Sequence, residues 1–313
     1  MAAQDASCFQ RTLPLNIIDS QRRLIRLTDP SYFAGKIDRE PAEILSIKPD
    51  DRPHRIVILL DSSGSMLGEQ SGRKWQMARF VAAHIGKAKL PNTSVALMIF
   101  SDKVNEQMDF SQGASAVTRR LLEIGADSNY AKKNVRGTTV LLDAVLSGLR
   151  MLGDSGFEDS IYAITDGGDN RSRSRMRDVR EALVRRGVRL YVTLLSSENP
   201  DRMVPEEQSG PSQVAGLAAD TGGFVLGPLG ANAFGRVSYN LRKDELRGIA
   251  MGLDGLYMAM TRDDLIEVEL PRTLKKWSKW SLEFSSEKKA AHKDWLIVYP
   301  RELAPCNVEA NSH

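Results

Sequence analysis

Cysteine and histidine are scarce in this sequence of 313 residues, which has two cysteines and four histidines. Cys8 and Cys306 lie near opposite ends of the chain and match no zinc-binding or thiol-redox spacing. The histidines are scattered and show no association with a serine and an acid of the kind that a hydrolytic triad needs. The sequence therefore argues against zinc, thiol and triad chemistry.

Long apolar runs and a strong charge of either sign are also missing. Apolar stretches such as residues 56–60 have the length of a strand, far short of the roughly 18 residues that a membrane helix requires. The formal net charge of +3 is too small to indicate a nucleic-acid or membrane-surface partner. We therefore expect a globular chain with no membrane span and no nucleic-acid partner.

The middle of the chain alternates between strand and helix patterns. Continuous apolar runs predict buried strands, and apolar residues at i, i+3, i+4 and i+7 spacing predict helices. The predicted strands lie at 56–60, 95–100, 161–165, 190–195 and 224–226, with a short extended piece near 108–110. The predicted helices lie at 74–88, 116–124, 140–152, 176–186 and 213–219. Such alternation indicates right-handed βαβ units, with helices on both faces of a mostly parallel sheet.

Both flanks of this region are rich in strand patterns. Before it, strands are predicted at 13–18, 24–27 and 44–47. After a helix near 241–251, further strands are predicted at 256–260, 265–270, 280–284 and 295–299. Neither flank has enough apolar residues for a core of its own, so we expect the two to pair into a small β-sandwich of about seven strands. The predicted parts are an N-terminal β segment at 1–52, an α/β domain at 53–230, and a C-terminal helix with strands at 231–313 that packs on the N-terminal segment.

Oxygen-bearing side chains follow two of the predicted strands and precede one helix. Asp61, Ser63 and Ser65 come directly after strand 56–60, Thr139 lies at the start of helix 140–152, and Asp166 follows strand 161–165. Ligands in open α/β sheets bind at the carboxyl ends of the strands. Carboxylates and hydroxyls without sulfur or imidazole favour Mg²⁺ over zinc or copper. The sequence therefore predicts a magnesium site at this edge.

These three segments resemble the metal-ion-dependent adhesion site of von Willebrand factor type A domains. The resemblance covers about residues 53–230 and implies a Rossmann-like fold, here inserted into the sandwich built from both termini. It implies that Ser63, Ser65 and Thr139 ligate the metal directly, while Asp61 and Asp166 act chiefly through waters and hydrogen bonds. Thr139 is preferred to Thr138 because it has the family's spacing to the Asp143-Ala144 pair.

The resemblance also implies a function. Such a site binds Mg²⁺, with Mn²⁺ or Ca²⁺ as alternatives, and leaves a coordination position for an Asp or Glu carboxylate of a protein partner. We therefore expect a protein-binding module for adhesion or assembly and not an enzyme. Two alternatives stay open: an assembly module whose metal only stabilises the fold, and a Mg²⁺-dependent phosphatase of the haloacid-dehalogenase type. The phosphatase needs Asp-x-Asp, whereas this chain has Asp61-Ser62-Ser63.

Sequences flanking these motifs resemble a bacterial group of related proteins that are often exported. The similarity lies in Leu15–Asp19, in Arg26-Leu27-Thr28, in the segment from Thr165 to Arg171 and in Thr221-Gly222-Gly223. No intact signal peptide begins the sequence, but residues 2–5 are similar to a signal cleavage point. We expect a secreted, periplasmic or cell-envelope protein. Cys8 and Cys306 are then either two free thiols or a disulfide that ties the termini together.

Overall fold

The computed structural model describes residues 8–21, 23–67, 73–88, 92–127, 129–195, 205–229 and 243–306. The sequence at 2–5 that is similar to a signal cleavage point lies outside these residues. None of the described helices is both long enough and apolar enough to cross a membrane.

Four strands come first in the chain. They are β1 (Gln10–Ile18), β2 (Leu24–Ile25), β3 (Phe33–Ile37) and β4 (Glu40–Pro49). The sequence patterns predict β1, β2 and β4 but not β3. In β3 only Phe33, Gly35 and Ile37 face inward, and so short an alternation with a glycine at its centre gives little strand signal.

The α/β part follows and has a six-stranded sheet. Its strands are β5 (His54–Asp61), β6 (Thr93–Phe100), β7 (Val104–Met108), β8 (Asp159–Thr165), β9 (Arg189–Leu195) and β10 (Val225–Leu229). They lie in the order β10-β9-β8-β5-β6-β7, and all pairs are parallel except β6 with β7. The predicted mostly parallel α/β sheet is confirmed.

Helices cover both faces of this sheet. They are α1 (Arg73–Lys87), α2 (Gly113–Ala126), α3 (Tyr130–Asn134), α4 (Leu141–Leu152), α5 (Met176–Arg186) and α6 (Pro205–Asp220). Along β5, Ile56, Ile58 and Leu60 pack with α1 and α2 on one face. Val57 and Leu59 pack with α4, α5 and α6 on the other. Alternate side chains of one buried strand thus supply two cores, as expected for a strand covered on both sides.

Helix α7 (Lys243–Thr261) corrects one sequence prediction. Residues 256–260 are helical, so the strand predicted there is wrong. The buried residues Leu253, Leu256, Tyr257 and Met260 have helical spacing, which a short apolar run alone does not distinguish from a strand. These residues belong to the core shared with α1. The helix thus lies on the α/β layer, although the sequence analysis grouped it with the C-terminal strands.

The remaining strands complete a second sheet. Strands β11 (Asp264–Glu269), β12 (Ser278–Phe284), β13 (Leu296–Val298) and β14 (Glu302–Leu303) follow, with the short helix α8 (Ser286–Lys289) after β12. The strand order is β13-β1-β11-β4-β3-β12-β14, with β2 also pairing with β1. Every pair is antiparallel. Seven of the eight strands form one continuous path in a sandwich-like arrangement, with β2 beside it, and strands from both ends of the chain are interleaved.

The two ends of the chain share a single core in this second sheet. Leu13, Leu15 and Ile17 of β1 are at most 1% exposed and pack with Ile266 and Leu282 from the C-terminal strands. Neither end contributes a complete apolar face alone, so each needs the other to fold. The predicted sandwich from both termini is confirmed, with the α/β part inserted between its strands.

A disulfide joins Cys8 to Cys306, and their Cα atoms are 5.6 Å apart. This separation lies in the usual range for bridged cysteines. Cys8 lies just before β1, while Cys306 donates its backbone N–H to the carbonyl of Leu274 at 2.8 Å. Of the two possibilities left open by the sequence, the structure therefore contains the bridge.

A buried ion pair joins the two parts of the molecule. Arg189 of β9 and Asp263, just before β11, pair with both side chains fully buried. Asn16 of β1 donates to Asp263 at 2.6 Å, and Arg189 also donates to the carbonyl of Ala259 at 3.2 Å. Buried charges need such partners because water is excluded. The contacts connect the parallel sheet, the end of α7 and the terminal strands at one point.

Candidate metal site

The carboxyl ends of β5 and β8 lie side by side because these strands pair in parallel along most of their length. The chain leaves β5 toward β6 on one side and leaves β8 toward β9 on the other. Adjacent strands whose connections leave in opposite directions open a crevice at this edge, where open α/β sheets bind ligands. Asp61 ends β5 and Asp166 directly follows β8. The two predicted carboxylates therefore lie at this crevice.

The loop after β5 is folded around the carboxylate of Asp61. The backbone N–H of Ser63 donates to Asp61 Oδ1 at 2.9 Å. The Thr165 hydroxyl donates to Asp61 Oδ2 at 2.7 Å. The hydroxyl oxygens of Ser63 and Ser65 are 3.1 Å apart. Two hydroxyls in hydrogen-bond contact next to a fixed carboxylate offer a compact group of hard oxygen donors.

The Thr139 segment is attached to this loop by its backbone. Arg136 donates its N–H to the carbonyl of Ser62, and Gly64 donates its N–H to the carbonyl of Gly137, both at 2.9 Å. Gly137 has a φ of +87°, a conformation that a glycine adopts without steric cost. Thr139 itself is 3% exposed. The Thr139 segment thus meets the loop after β5 at the same edge of the sheet.

Side chains from the loop after β8 hold the start of α4. Asn170 Oδ1 accepts from the N–H of Thr139 at 3.0 Å, and Asp169 Oδ2 accepts from the N–H of Leu142 at 2.9 Å. Leu142 lies in the first turn of α4, where N–H groups have no partner within the helix, so Asp169 satisfies one of them. Asp169 and Asn170 therefore fix the position of Thr139 relative to Asp166.

Asp166 is paired with a buried lysine. Lys74 Nζ donates to Asp166 Oδ2 at 2.9 Å, and the two side chains are 4% and 6% exposed. The other carboxylate oxygen accepts from the N–H of Gly168 at 3.3 Å. Gly167, between them, has a φ of +86°, and a Cβ there would lie 3.1 Å from the backbone of Pro211. The local backbone thus requires a glycine after Asp166.

The electrostatics of the site are dominated by Asp61. Burial, reinforced by the negative charge of Asp166, raises the pKa of Asp61 to about 7, although hydrogen bonds from Thr165 and Ser63 oppose the shift. The lysine in the site pairs with Asp166, and both hydrogen-bond donors to Asp61 are neutral. Two buried carboxylates that repel each other beside two hydroxyls therefore suit a divalent cation.

The structure brings all five predicted metal-site residues to one sheet edge. Asp61, Ser63 and Ser65 share one loop, Thr139 lies on a loop hydrogen-bonded to it, and Asp166 is close enough to shift the pKa of Asp61. Within the described residues, no three or more His, Cys, Asp or Glu side chains form a metal-binding group. Any metal here depends on the hydroxyl donors, and that donor set fits Mg²⁺.

Sequence reasoning missed two residues of the site, Lys74 and Thr165. A signal for Lys74 exists: it lies four residues before Ala78, on the extension of the apolar stripe formed by Ala78, Val81 and Ile85. A charged residue on a buried stripe indicates a buried partner. No comparable signal distinguishes Thr165 from an ordinary strand residue.

A cleft of about 700 Å³ opens beside the site and is lined by Thr138, Asp102, Lys103, Arg171 and Arg173, among others. The cleft has three basic side chains and two acidic ones, Asp102 and Asp143, so its formal charge is only slightly positive. Neither this cleft nor another of about 610 Å³ at the start of β5 is lined by any of the five candidate residues. The larger cleft adjoins the site through Thr138, the chain neighbour of Thr139.

Residues 56–168 match the family model of the von Willebrand factor type A domain. This part of the chain is similar to domains of that family, which are generally non-catalytic modules that bind other proteins. The match includes both carboxylates, both serines and Thr139.

Several solved structures are also similar to the chain. An aerotolerance-related membrane protein from Bacteroides fragilis with multiple mutations to serines has 16% identity, covers 65% of this chain and 98% of its own, and gives a TM-score of 0.43. BatB from Bacteroides thetaiotaomicron has 16% identity with the same coverage and a TM-score of 0.41. A von Willebrand factor type A protein from Catenulispora acidiphila has 10% identity, covers 99% of this chain and 77% of its own, and gives 0.44. No curated protein matches the chain.

Proposed function

We propose that this chain is a Mg²⁺-dependent protein-binding module for adhesion or assembly. Ser63, Ser65 and Thr139 would hold the ion directly, and Asp61 and Asp166 would act through waters and hydrogen bonds. Bound there, Mg²⁺ supplies a coordination position to an Asp or Glu carboxylate of the protein partner. The observation that carries this role is the meeting of two buried carboxylates and three hydroxyl-bearing residues at one sheet edge.

The chain's own residues prepare this edge for an acidic ligand. Hydrogen bonds from Ser63 and Thr165 orient the carboxylate of Asp61. Asn170 holds the backbone of Thr139. Lys103, Arg171 and Arg173 outnumber the two carboxylates of the adjoining cleft and would attract negative residues that flank the partner's carboxylate.

We further propose that the protein works in an oxidising compartment, either secreted or in the periplasm or cell envelope. The disulfide between Cys8 and Cys306 supports this location, because the cytosol keeps structural thiols reduced.

A peptide selection tests the proposed binding. Random peptides are captured on the immobilised protein in Mg²⁺ and eluted with EDTA. We expect the eluted peptides to carry an Asp or Glu whose amide form no longer binds. Asp166→Ala should lower Mg²⁺ affinity at least about tenfold and abolish capture. Asp254→Asn, an exposed carboxylate on α7, should leave both unchanged.

Near-UV circular dichroism in EDTA separates this role from a metal that only stabilises the fold. The wild-type protein should stay folded without metal while losing its peptides. Peptides that bind equally as acids and amides, or equally in EDTA, would contradict the proposal.

A further inference from the structure

Lys74 is a buried cation in direct contact with the proposed metal site. It lies in the first turn of α1, its side chain is 4% exposed, and its Nζ is 2.9 Å from Asp166 Oδ2. An ammonium group is expensive to bury without an ionic partner. Asp166 is thus the partner that allows Lys74 to lie inside the site.

Asp61 differs from Asp166 in its partners. Its two oxygens accept hydrogen bonds from the N–H of Ser63 and the hydroxyl of Thr165, both neutral donors. With both carboxylates ionised, as binding of a divalent cation favours, these two groups and the ammonium of Lys74 give the site a net charge of −1. A site with the same carboxylates and no lysine would carry −2.

We propose that Lys74 is a built-in counter-charge that weakens metal binding and leaves the bound metal more attractive to an acidic ligand. The inference rests on the proposed function. With a divalent ion in place, the site carries +1 with Lys74 and would be neutral without it. Because water is largely excluded here, that difference in charge acts strongly on both the cation and an incoming carboxylate. Lys74 therefore lowers the affinity for the metal and raises that of the loaded site for its ligand.

The test removes the charge of Lys74 while keeping its length or its hydrogen bond. Lys74→Met keeps an unbranched side chain, and Lys74→Gln keeps a donor for Asp166. Lys87→Met removes the same charge from the exposed far end of α1, roughly 20 Å away along the helix. Thermal melts in EDTA establish which variants fold, and calorimetry then measures the affinity for Mg²⁺ alone.

We expect both Lys74 variants to bind Mg²⁺ at least about tenfold more tightly than wild type, and Lys87→Met to match wild type. Acetate should bind more weakly to the Mn²⁺-loaded Lys74 variants than to Mn²⁺-loaded wild type. Water-proton relaxation measures this binding. Wild type and Lys74 variants with equal Mg²⁺ affinity would overturn this inference and leave the proposed function standing. If neither wild type nor variants bind Mg²⁺, the proposed function itself fails.

Discussion

Asp264, at the start of β11, has a buried carboxylate that does not belong to the candidate site. Burial raises its pKa to about 6, although the charge of Arg26 opposes the shift. A carboxyl group with a raised folded-state pKa stabilises the protein below its unfolded value near 4, and this contribution is lost as pH rises through about 6. Ionisation of Asp264 should therefore lower the free energy of unfolding by about 2–3 kcal/mol as the pH rises from 4 to 7.

Asp264→Asn tests this expectation in urea unfolding at pH values from 4 to 8. The variant should be more stable than wild type at pH 8 and lose less stability between pH 4 and pH 7. Glu269→Gln, an exposed carboxylate at the other end of β11, serves as the matched control and should follow wild type. Parallel profiles for Asp264→Asn and wild type would show that this group carries no pH dependence.

At the residue scale, the sequence predicts those parts of the site in which a metal-binding side chain directly follows a predicted strand. Asp61 and Asp166 follow apolar strands, and parallel strands end at a common edge, so their meeting is predictable. The pairing of Lys74 with Asp166 is not, because it depends on the angle at which α1 packs on the sheet. Direct metal contact by Thr139 stays a prediction.

At the element scale, periodicity works best for elements with one clear buried face. Helix α5 occupies Met176–Arg186 as predicted, since its apolar stripe is surrounded by charged residues. The pattern fails for residues 256–260, where an apolar run continues a helix that is buried on the α/β layer. Such a run has the same local composition in a strand and in a helix, and only tertiary packing decides between them.

The ion pair between Arg189 of β9 and Asp263 before β11 supports a prediction at the same scale. Arg189→Met should lower the free energy of unfolding by about 3–5 kcal/mol, because Asp263 is left buried without its cation. The double variant Arg189→Met with Asp263→Leu should recover most of this loss in urea unfolding. Arg175→Met, which breaks an exposed pair with Asp178, should cost under about 1 kcal/mol.

A double variant as unstable as the single one would instead mean that the ion pair itself stabilises the junction. That result would contradict the expectation that the cost arises from an unpaired buried charge. The single and the double variant both lack Arg189. Any effect of losing Arg189 on the packing of α7 and β1 is therefore the same in both and cancels when their stabilities are compared.

At the scale of the whole molecule, the sequence predicts that the termini build one sandwich around a shared core. The prediction follows because each end of the chain has too few apolar residues for a core of its own. The shared core contains Leu13, Leu15 and Ile17 together with residues of the C-terminal strands. The order in which the strands alternate does not follow, because it depends on pairings between residues far apart in sequence. Strand β3, for example, forms a local hairpin with β4 but pairs on its other side with the distant β12.

The disulfide between Cys8 and Cys306 closes nearly the whole chain, with a sequence separation of 298. A bridge over so long a loop restricts the unfolded chain strongly, so replacing both cysteines by serine should lower the free energy of unfolding by about 3–5 kcal/mol. Urea unfolding with and without reductant measures the effect, and reductant should leave the double variant unchanged. Mg²⁺ affinity should also stay unchanged, because the bridge lies in the sandwich. Equal stability of bridged and serine forms would contradict this account.

Anomalous diffraction from crystals soaked in Mn²⁺ tests the central claim, that the sheet edge holds a divalent ion, most directly. Mn²⁺ stands in for Mg²⁺ because its anomalous signal identifies the metal. We predict a peak at the carboxyl end of β5, in contact with the hydroxyl oxygens of Ser63, Ser65 and Thr139 at about 2.1–2.2 Å, slightly longer than for Mg²⁺. The peak should vanish in crystals of Asp166→Ala. A fully soaked wild-type crystal with bound Mn²⁺ elsewhere and no peak at this edge would contradict the account.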